Sequence, residues 1–107
     1  MKKELIQELF DKFEKARLVI EDVECWSARE LQIIFNYSDW RNFLKVIDKA
    51  KISCEFSNNL LSDHFVDINK MVELGSGSKR EVQDIALTRY ACNLIAQNGD
   101  PAKQEIS

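Results

Sequence analysis

Apolar residues recur every three or four positions at the start of the chain, which is the period of an α-helix. From Lys2 to about Ala16 this spacing predicts an amphipathic helix. Its apolar stripe consists of Leu5, Ile6, Leu9, Phe10 and Phe13. Charges of alternating sign occupy the remaining positions, as on a solvated helix face. The stripe indicates either packing on the chain's own core or a seam for a homodimer.

The following residues, 17–26, fit two structures. Their apolar residues could prolong the first helix or form a short strand, and Glu21-Asp22 could be a turn. We expect a helix end, a turn and a short strand near Val23 to Trp26.

Two consecutive helices with a very short turn between them are predicted from Trp26 to about Phe56. Ser27 is the expected N-cap of the first, with Glu30 in the capping-box position three residues on. Asn36 can adopt the left-handed conformation that closes a helix, and Ser38 is the expected N-cap of the second. Such a pair suggests a DNA-binding helix-turn-helix, but the same arrangement is also ordinary core construction.

The spacing of apolar residues is no longer helical in the second half of the chain. Extended segments at residues 65–74 and 79–87 flank the turn Gly75-Ser-Gly-Ser78, which predicts a β-hairpin beside the helices. Thr88 is the expected N-cap of a final helix that ends at Asn98-Gly99-Asp100-Pro101. The predicted fold is therefore α+β and mainly helical, with a central helix pair, a short hairpin wing and a last helix, in one domain over residues 1–107.

Composition excludes several classes of protein. With 45% hydrophobic and 31% charged residues, the chain resembles a soluble globular protein. No apolar run approaches the ~20 residues of a membrane span, and the N-terminus lacks a signal-peptide pattern, so we expect a cytoplasmic protein without a membrane partner. Cys25, Cys54 and Cys92 lie far apart and are expected to be buried reduced thiols that hold no metal.

Candidate catalytic chemistry is sparse. The single histidine, His64, has no serine or cysteine partner at a recognisable spacing, and a structural role is expected for it. The segment Gly75-Ser-Gly-Ser-Lys-Arg80 lacks the spacing of a phosphate-binding loop and precedes a strand-like segment. We therefore expect a protein that is not an enzyme and has no cofactor.

Basic residues form a local stripe on a chain whose net charge is -3. Arg41, Lys45 and Lys49 follow one another at four-residue spacing on the second helix of the pair, and Asp48 shares much of that face. The amide of Asn42 is placed to contact adenine if this helix enters a groove. Lys79 and Arg80 lie at the hairpin tip, where they could reach a DNA backbone. Both features are also found on surfaces that are merely solvated.

Longer segments carry a family resemblance. They are Trp26-Ser-Ala-Arg-Glu-Leu31, Tyr37-Ser-Asp-Trp-Arg-Asn-Phe43, Ser62-Asp-His-Phe65, Glu73-Leu-Gly-Ser-Gly-Ser-Lys-Arg80 and Leu87-Thr-Arg-Tyr-Ala-Cys-Asn-Leu-Ile-Ala-Gln-Asn-Gly-Asp-Pro-Ala-Lys103. On these the chain resembles the family of bacterial DNA damage-inducible protein D, and more distantly the Bro-N type domains of phage antirepressors and viral proteins.

The resemblance implies a bacterial protein induced in the SOS response, with a Bro-N-like DNA-binding domain of mixed α and β structure. Asn36 stands where such sequences favour glycine, which a left-handed position explains. Members of the family continue with a further C-terminal region beyond the segment matched here, so either residues 103–107 are the start of that region or the chain is a short member of the family.

Two hypotheses follow. In the first, the domain binds DNA, with Arg41, Asn42, Lys45 and Lys49 facing the duplex. Lys79, Arg80 and Arg89 would then hold phosphates. In the second, it is a protein-interaction module that modulates a recombinase-DNA filament or another repair protein, which the acidic net charge favours.

Overall fold

A computed structural model describes residues 2–99, which form five helices and four strands. The elements are α1 (Lys2–Lys15), β1 (Leu18–Ile20), β2 (Val23–Ser27), α2 (Ala28–Ile34), α3 (Trp40–Phe56), α4 (Leu61–His64), β3 (Phe65–Glu73), β4 (Lys79–Leu87) and α5 (Arg89–Asn98). The predicted C-terminal features at Asp100, Pro101 and residues 103–107 lie outside the described residues.

The strands form one antiparallel sheet in the order β1-β2-β4-β3. The α+β class is therefore right, but the prediction of a mainly helical fold with a short hairpin wing is wrong. The hairpin strands β3 and β4 have nine residues each, and β4 also pairs with β2 through Trp26↔Leu87 and Ser27↔Ala86. The hairpin is thus part of a four-stranded sheet that contributes to the core, and not a separate wing beside the helices.

The first hairpin was predicted only in part: the turn at Glu21-Asp22 and the strand from Val23 are present, but its partner strand β1 was expected to be the end of a helix. β1 and β2 are joined by Glu21 and Asp22, which both have positive φ, at 50° and 66°. Two left-handed residues in a two-residue loop match the twist of the paired strands, and this turn usually contains asparagine or glycine. A pair of acidic residues gives only a weak signal for such a hairpin turn, so the sequence predicted a helix end, and not a strand, at Leu18–Ile20.

The second hairpin lies where the sequence predicted it. Its register runs from Phe65↔Leu87 to Glu73↔Lys79. The loop closes when the Leu74 amide donates to the Ser78 carbonyl at 2.8 Å. Gly77 has a φ of 86°, a conformation that side chains other than glycine adopt at a cost.

Local hydrogen bonds explain the ends of the helices. The Ser27 side chain accepts from the Glu30 amide, as predicted for the cap of α2, and Asn36 is left-handed with a φ of 63°. The cap of α3 is Asp39, whose Oδ1 accepts from the Arg41 amide at 2.8 Å, and not the predicted Ser38. Thr88 caps α5 as predicted.

The core lies where α2, α3 and α5 meet the base of the sheet. Its largest member, Trp26, is fully buried, stacks on Phe13 of α1 with ring centroids 4.2 Å apart, and donates its Nε1 proton to the Phe13 carbonyl at 2.7 Å. The helices contribute mainly Leu31, Phe43, Ile47, Ala91 and Ile95, and the sheet contributes Phe65, Ile85 and Leu87. This arrangement holds α3 with one face in the core and the other in solvent.

Candidate nucleic-acid interface

The outer face of α3 carries the basic residues predicted from the sequence. Arg41, Asn42, Lys45 and Lys49 are all exposed, together with Asp48. The opposite face of the helix is buried and consists of Phe43, Val46, Ile47, Ala50 and Cys54. Burial of that apolar stripe fixes the rotation of α3 about its axis. The basic residues are therefore exposed because of their backbone positions, whichever rotamers they adopt.

The charges on this face are not neutralised within the described part of the chain. Among the ion pairs formed within residues 2–99, none includes Arg41, Lys45 or Lys49. A surface cation without an ion-pair partner remains available to an anionic ligand, although Asp48 is also exposed beside these residues. The outer face of α3 therefore offers three cations to a ligand.

Arg29 was not predicted as a site residue, yet it connects α3 to the sheet. Its Nε donates to the Gln83 carbonyl at 2.7 Å, and its guanidinium lies 4.1 Å from the centroid of the Trp40 ring. A cation over an indole face is a favourable contact. The first turn of α3 is thereby held near β4. Only the fold brings Arg29 and Trp40 together, so the sequence pattern gave no signal.

The hairpin separates the two basic residues predicted at its tip. Successive strand residues point to opposite faces, so Lys79 and Arg80 cannot act on one surface. Lys79 is paired with Glu73 across the ladder, on the face that also carries exposed Asp67 and Glu81.

Arg80 lies on the opposite face of the hairpin, together with Lys70. The Nζ of Lys70 is 3.0 Å from Glu30 of α2. This face therefore carries two basic residues and is joined to α2 by an ion pair. Of the two predicted tip residues, Arg80 is the one on the more basic face.

Arg89 lies at the first turn of α5, where acidic residues already hold it. Its Nη2 is 2.9 Å from Glu24 and its Nη1 is 3.2 Å from Glu14. Its guanidinium also lies 4.9 Å from the centroid of the Trp26 ring. Hydrogen bonds to Glu24 and then to Glu14 raise the pKa of Arg89. A phosphate bound here would have to compete with two carboxylates.

Glu24 is the centre of this charge cluster. Hydrogen bonds from Arg89 and then from Arg17, whose Nε is 2.6 Å away, lower the pKa of Glu24 from 4.5 to about 2. A carboxyl group with a lowered folded-state pKa stabilises the fold at pH values above its unfolded pKa, and that contribution is lost as the pH falls through the folded pKa. The relevant window is therefore between about pH 4.5 and pH 2.

Replacement of Glu24 by glutamine is expected to lower the midpoint of thermal unfolding at pH 6 and to have little effect near pH 2. Thermal melts followed by circular dichroism over this range measure the difference. Glu4→Gln, at an exposed position of α1, is the matched control and should shift the midpoint little at any pH. A Glu24→Gln effect that does not shrink on acidification would contradict the assigned ion pairs.

His64 and the three cysteines are held within the fold by a hydrogen bond or by burial. His64 Nδ1 is 2.7 Å from Thr88 Oγ1, which joins the end of α4 to the start of α5. The three cysteines are buried and unpaired, as predicted, and burial raises the pKa of the Cys92 thiol to about 12. Within residues 2–99 no group of three or more histidine, cysteine or acidic residues could hold a metal ion.

The first helix leaves part of its apolar stripe uncovered. Ile6 and Phe10 are exposed, and Phe10 retains 52% of its accessible surface. Beneath them lies an open cavity of about 300 Å³, lined by Ile6, Leu9, Phe10, Phe13, Phe35, Arg89, Cys92, Asn93 and Ala96. The C-terminal end of α1 is docked through Phe13 and Glu14, so the uncovered apolar surface at Ile6 and Phe10 lies before these contacts.

Fold and site together define a small α+β domain in which an antiparallel sheet supports a helix with an exposed basic face. The chain belongs to the BRO family: residues 15–107 match the description "BRO family, N-terminal domain". It is 47% identical over 96 residues to "DNA damage-inducible protein D" of Escherichia coli (strain K12). The family resemblance inferred from the sequence segments is thus confirmed.

The match to the Escherichia coli protein covers 89% of this chain and 35% of the relative. The chain therefore spans about a third of the length of that curated protein. No solved structure matches it significantly. Over residues 2–99, no helix is both long and apolar enough to cross a membrane.

Proposed function

We propose that this domain is a non-enzymatic DNA-binding module of the bacterial DNA-damage response, acting in the cytoplasm. The observation that carries the proposal is the outer face of α3, where Arg41, Lys45 and Lys49 are exposed without an acidic partner in residues 2–99. The name of the Escherichia coli relative and the family membership support the same role.

The basic row has dimensions suited to a nucleic-acid backbone. Arg41 and Lys49 are eight residues apart, which corresponds to roughly 12 Å along a helix. One strand carries a phosphate about every 3.4 Å of helix axis, so the row can neutralise several phosphates of one strand. Asn42 follows Arg41 on the exposed side of the first turn, where its amide can reach base edges.

The remaining predicted contacts are proposed as secondary. Arg80 shares a face of the hairpin with Lys70 and can add a phosphate contact there. Lys79 and Arg89 are also proposed to contact phosphate, but both lie beside carboxylates: Glu73 faces Lys79, and Glu24 and Glu14 hold Arg89. We therefore expect smaller losses of affinity when either is replaced.

A salt titration tests the proposal. With labelled duplex and single-stranded DNA, fluorescence anisotropy should detect binding by micromolar protein at low salt. Release of counterions from three phosphates gives a slope of log affinity against log salt of about -2 to -3. Absence of salt-sensitive binding to both forms of DNA would overturn the proposal.

A protein-interaction module is the second candidate. It is favoured by the net charge of -3 and by exposed apolar side chains at the end of α3 and just after it, notably Ile52 and Leu60. Its proposed partner is a recombinase-DNA filament or another repair protein. Filament binding that survives reversal of charge at Lys45 and Lys49 would favour this candidate over direct DNA binding.

Pairing of two copies through α1 is retained as a further proposal. The exposed Ile6 and Phe10 and the cavity beneath them support it, because a second α1 could cover this apolar surface. Sedimentation equilibrium of the wild-type chain and of Phe10→Ser would test it. A monomeric wild type at high micromolar concentration would rule it out.

A further inference from the structure

We infer that the outer face of α3 binds single-stranded DNA in preference to duplex, with Phe56 as the platform on which a base stacks. The inference rests on the proposed DNA-binding function and specifies its substrate. It is based on Phe56, a side chain that is not packed into the core. Phe56 retains 84% of its accessible surface, and no other large apolar side chain described in this chain is as exposed.

Phe56 lies seven residues after Lys49, on the same outer face of α3. In a helix with 3.6 residues per turn, positions seven apart lie nearly above one another. Asn42, Lys49 and Phe56 follow this spacing and form one row, and Lys45 and Ile52 form the adjacent row. Ile52 is 54% exposed. The face therefore begins with amide and cationic groups and ends with an aromatic ring.

The acidic residues of α3 lie on one side of this path. Asp48 and Glu55 are also seven apart, and their row lies on the flank away from Lys49 and Phe56. A phosphate backbone that follows Asn42 and Lys49 towards Phe56 is separated from both carboxylates by the row of Lys45 and Ile52, whereas Lys45 itself neighbours Asp48. Lys49 and Phe56 are separated by roughly 10 Å along the axis, a distance that a short run of nucleotides can bridge.

The chemistry of this face suits an unpaired strand. Proteins that bind single strands without sequence preference combine a cationic track with exposed aromatic rings on which bases stack. A duplex keeps its base faces stacked inside the helix, so its outer surface offers no base plane to Phe56. Against a duplex, Phe56 and Ile52 would instead face charged phosphates, and desolvating those phosphates against apolar groups is unfavourable.

The test compares Phe56→Ala and Phe56→Tyr with wild type. Fluorescence anisotropy is measured with a labelled oligothymidylate of about 16 nucleotides and with a duplex of the same length. We expect wild type to bind the single strand more tightly. Phe56→Ala should bind it about tenfold more weakly, equivalent to about 1.4 kcal/mol, while duplex binding stays unchanged. Phe56→Tyr retains an aromatic ring and should bind the single strand like wild type.

Ile33→Ala is the matched control, because Ile33 is an exposed apolar residue of α2, and it should leave both affinities unchanged. Circular dichroism should show all variants folded, since neither side chain is part of the core. Equal affinity for the two DNA forms, or an unchanged affinity of Phe56→Ala for the single strand, would overturn the inference and leave DNA binding intact. If wild type bound neither the single strand nor the duplex, the proposed DNA-binding function would be overturned as well.

Discussion

Replacement of Asp84 by alanine is expected to lower the free energy of unfolding by about 3 kcal/mol. The Asp84 side chain is fully buried and accepts three hydrogen bonds. Its donors are the Ser27 hydroxyl, the Arg29 amide at 3.0 Å and the Ile85 amide at 2.8 Å. Alanine leaves all three donors without their acceptor in a region closed to water, and burying an unsatisfied polar group is costly.

The position of Asp84 also links stability to the candidate site. Arg29, whose amide bonds to Asp84, places its guanidinium over Trp40 at the start of α3. A carboxylate at the first turn of α2 is favoured by the partial positive charge of a helix N-terminus. Loss of this carboxylate should therefore loosen the first turn of α2 and, through Arg29, the contact that holds α3 near β4.

Urea unfolding followed by circular dichroism measures the Asp84→Ala effect, and the thermal midpoint should fall by more than about 10 °C. Asp67→Ala is the matched control, since Asp67 is an exposed aspartate of the same hairpin. It should change the free energy of unfolding by at most about 0.5 kcal/mol. Equal losses in the two variants would show that the hydrogen bonds of Asp84 contribute nothing specific.

The double variant Lys45→Glu/Lys49→Glu is expected to bind DNA about 100-fold more weakly than wild type near 0.1 M salt. Counterion release makes each phosphate contact worth close to tenfold at this salt concentration, and two contacts are lost. The introduced carboxylates add repulsion. Both lysines are exposed, so the fold should be unaffected.

The control for this variant is Lys12→Glu/Lys15→Glu on α1, which changes the net charge by the same amount at two exposed positions. Long-range charge effects are screened beyond about 10 Å at 0.1 M salt, so the control should weaken binding only slightly. If both double variants lose affinity equally, the effect reflects the total charge and not the outer face of α3.

The sequence predicted the helices well because their signals are local. The capping residues Ser27 and Thr88 and the three- or four-residue apolar spacing of α3 depend only on neighbours along the chain. The extent of the sheet was not predictable in this way. It depends on the pairing of β1 with β2 across the expected turn, and on the pairing of Trp26 with Leu87, which are 61 residues apart in sequence and adjacent only in the fold.

The same distinction applies to the candidate site. The apolar periodicity was enough to place Arg41, Lys45 and Lys49 on a solvent face, because the buried stripe of a helix determines which face of that helix is exposed. It could not show that Glu24 and Glu14 hold Arg89, since those contacts span 65 and 75 residues. Asp84 gave no sequence signal either: a carboxylate in a strand ordinarily indicates a solvated position, and burial reverses that expectation.

Titration of the isotopically labelled domain with single-stranded DNA, followed by amide chemical shifts, tests the central claim most directly. We predict that the largest changes follow the outer face of α3, at Arg41, Asn42, Lys45, Lys49 and Phe56. Amides around the cavity beneath α1 should change little. Shifts concentrated on α1 and α5, or the absence of shifts at saturating DNA, would contradict the assignment of α3 as the DNA-binding surface.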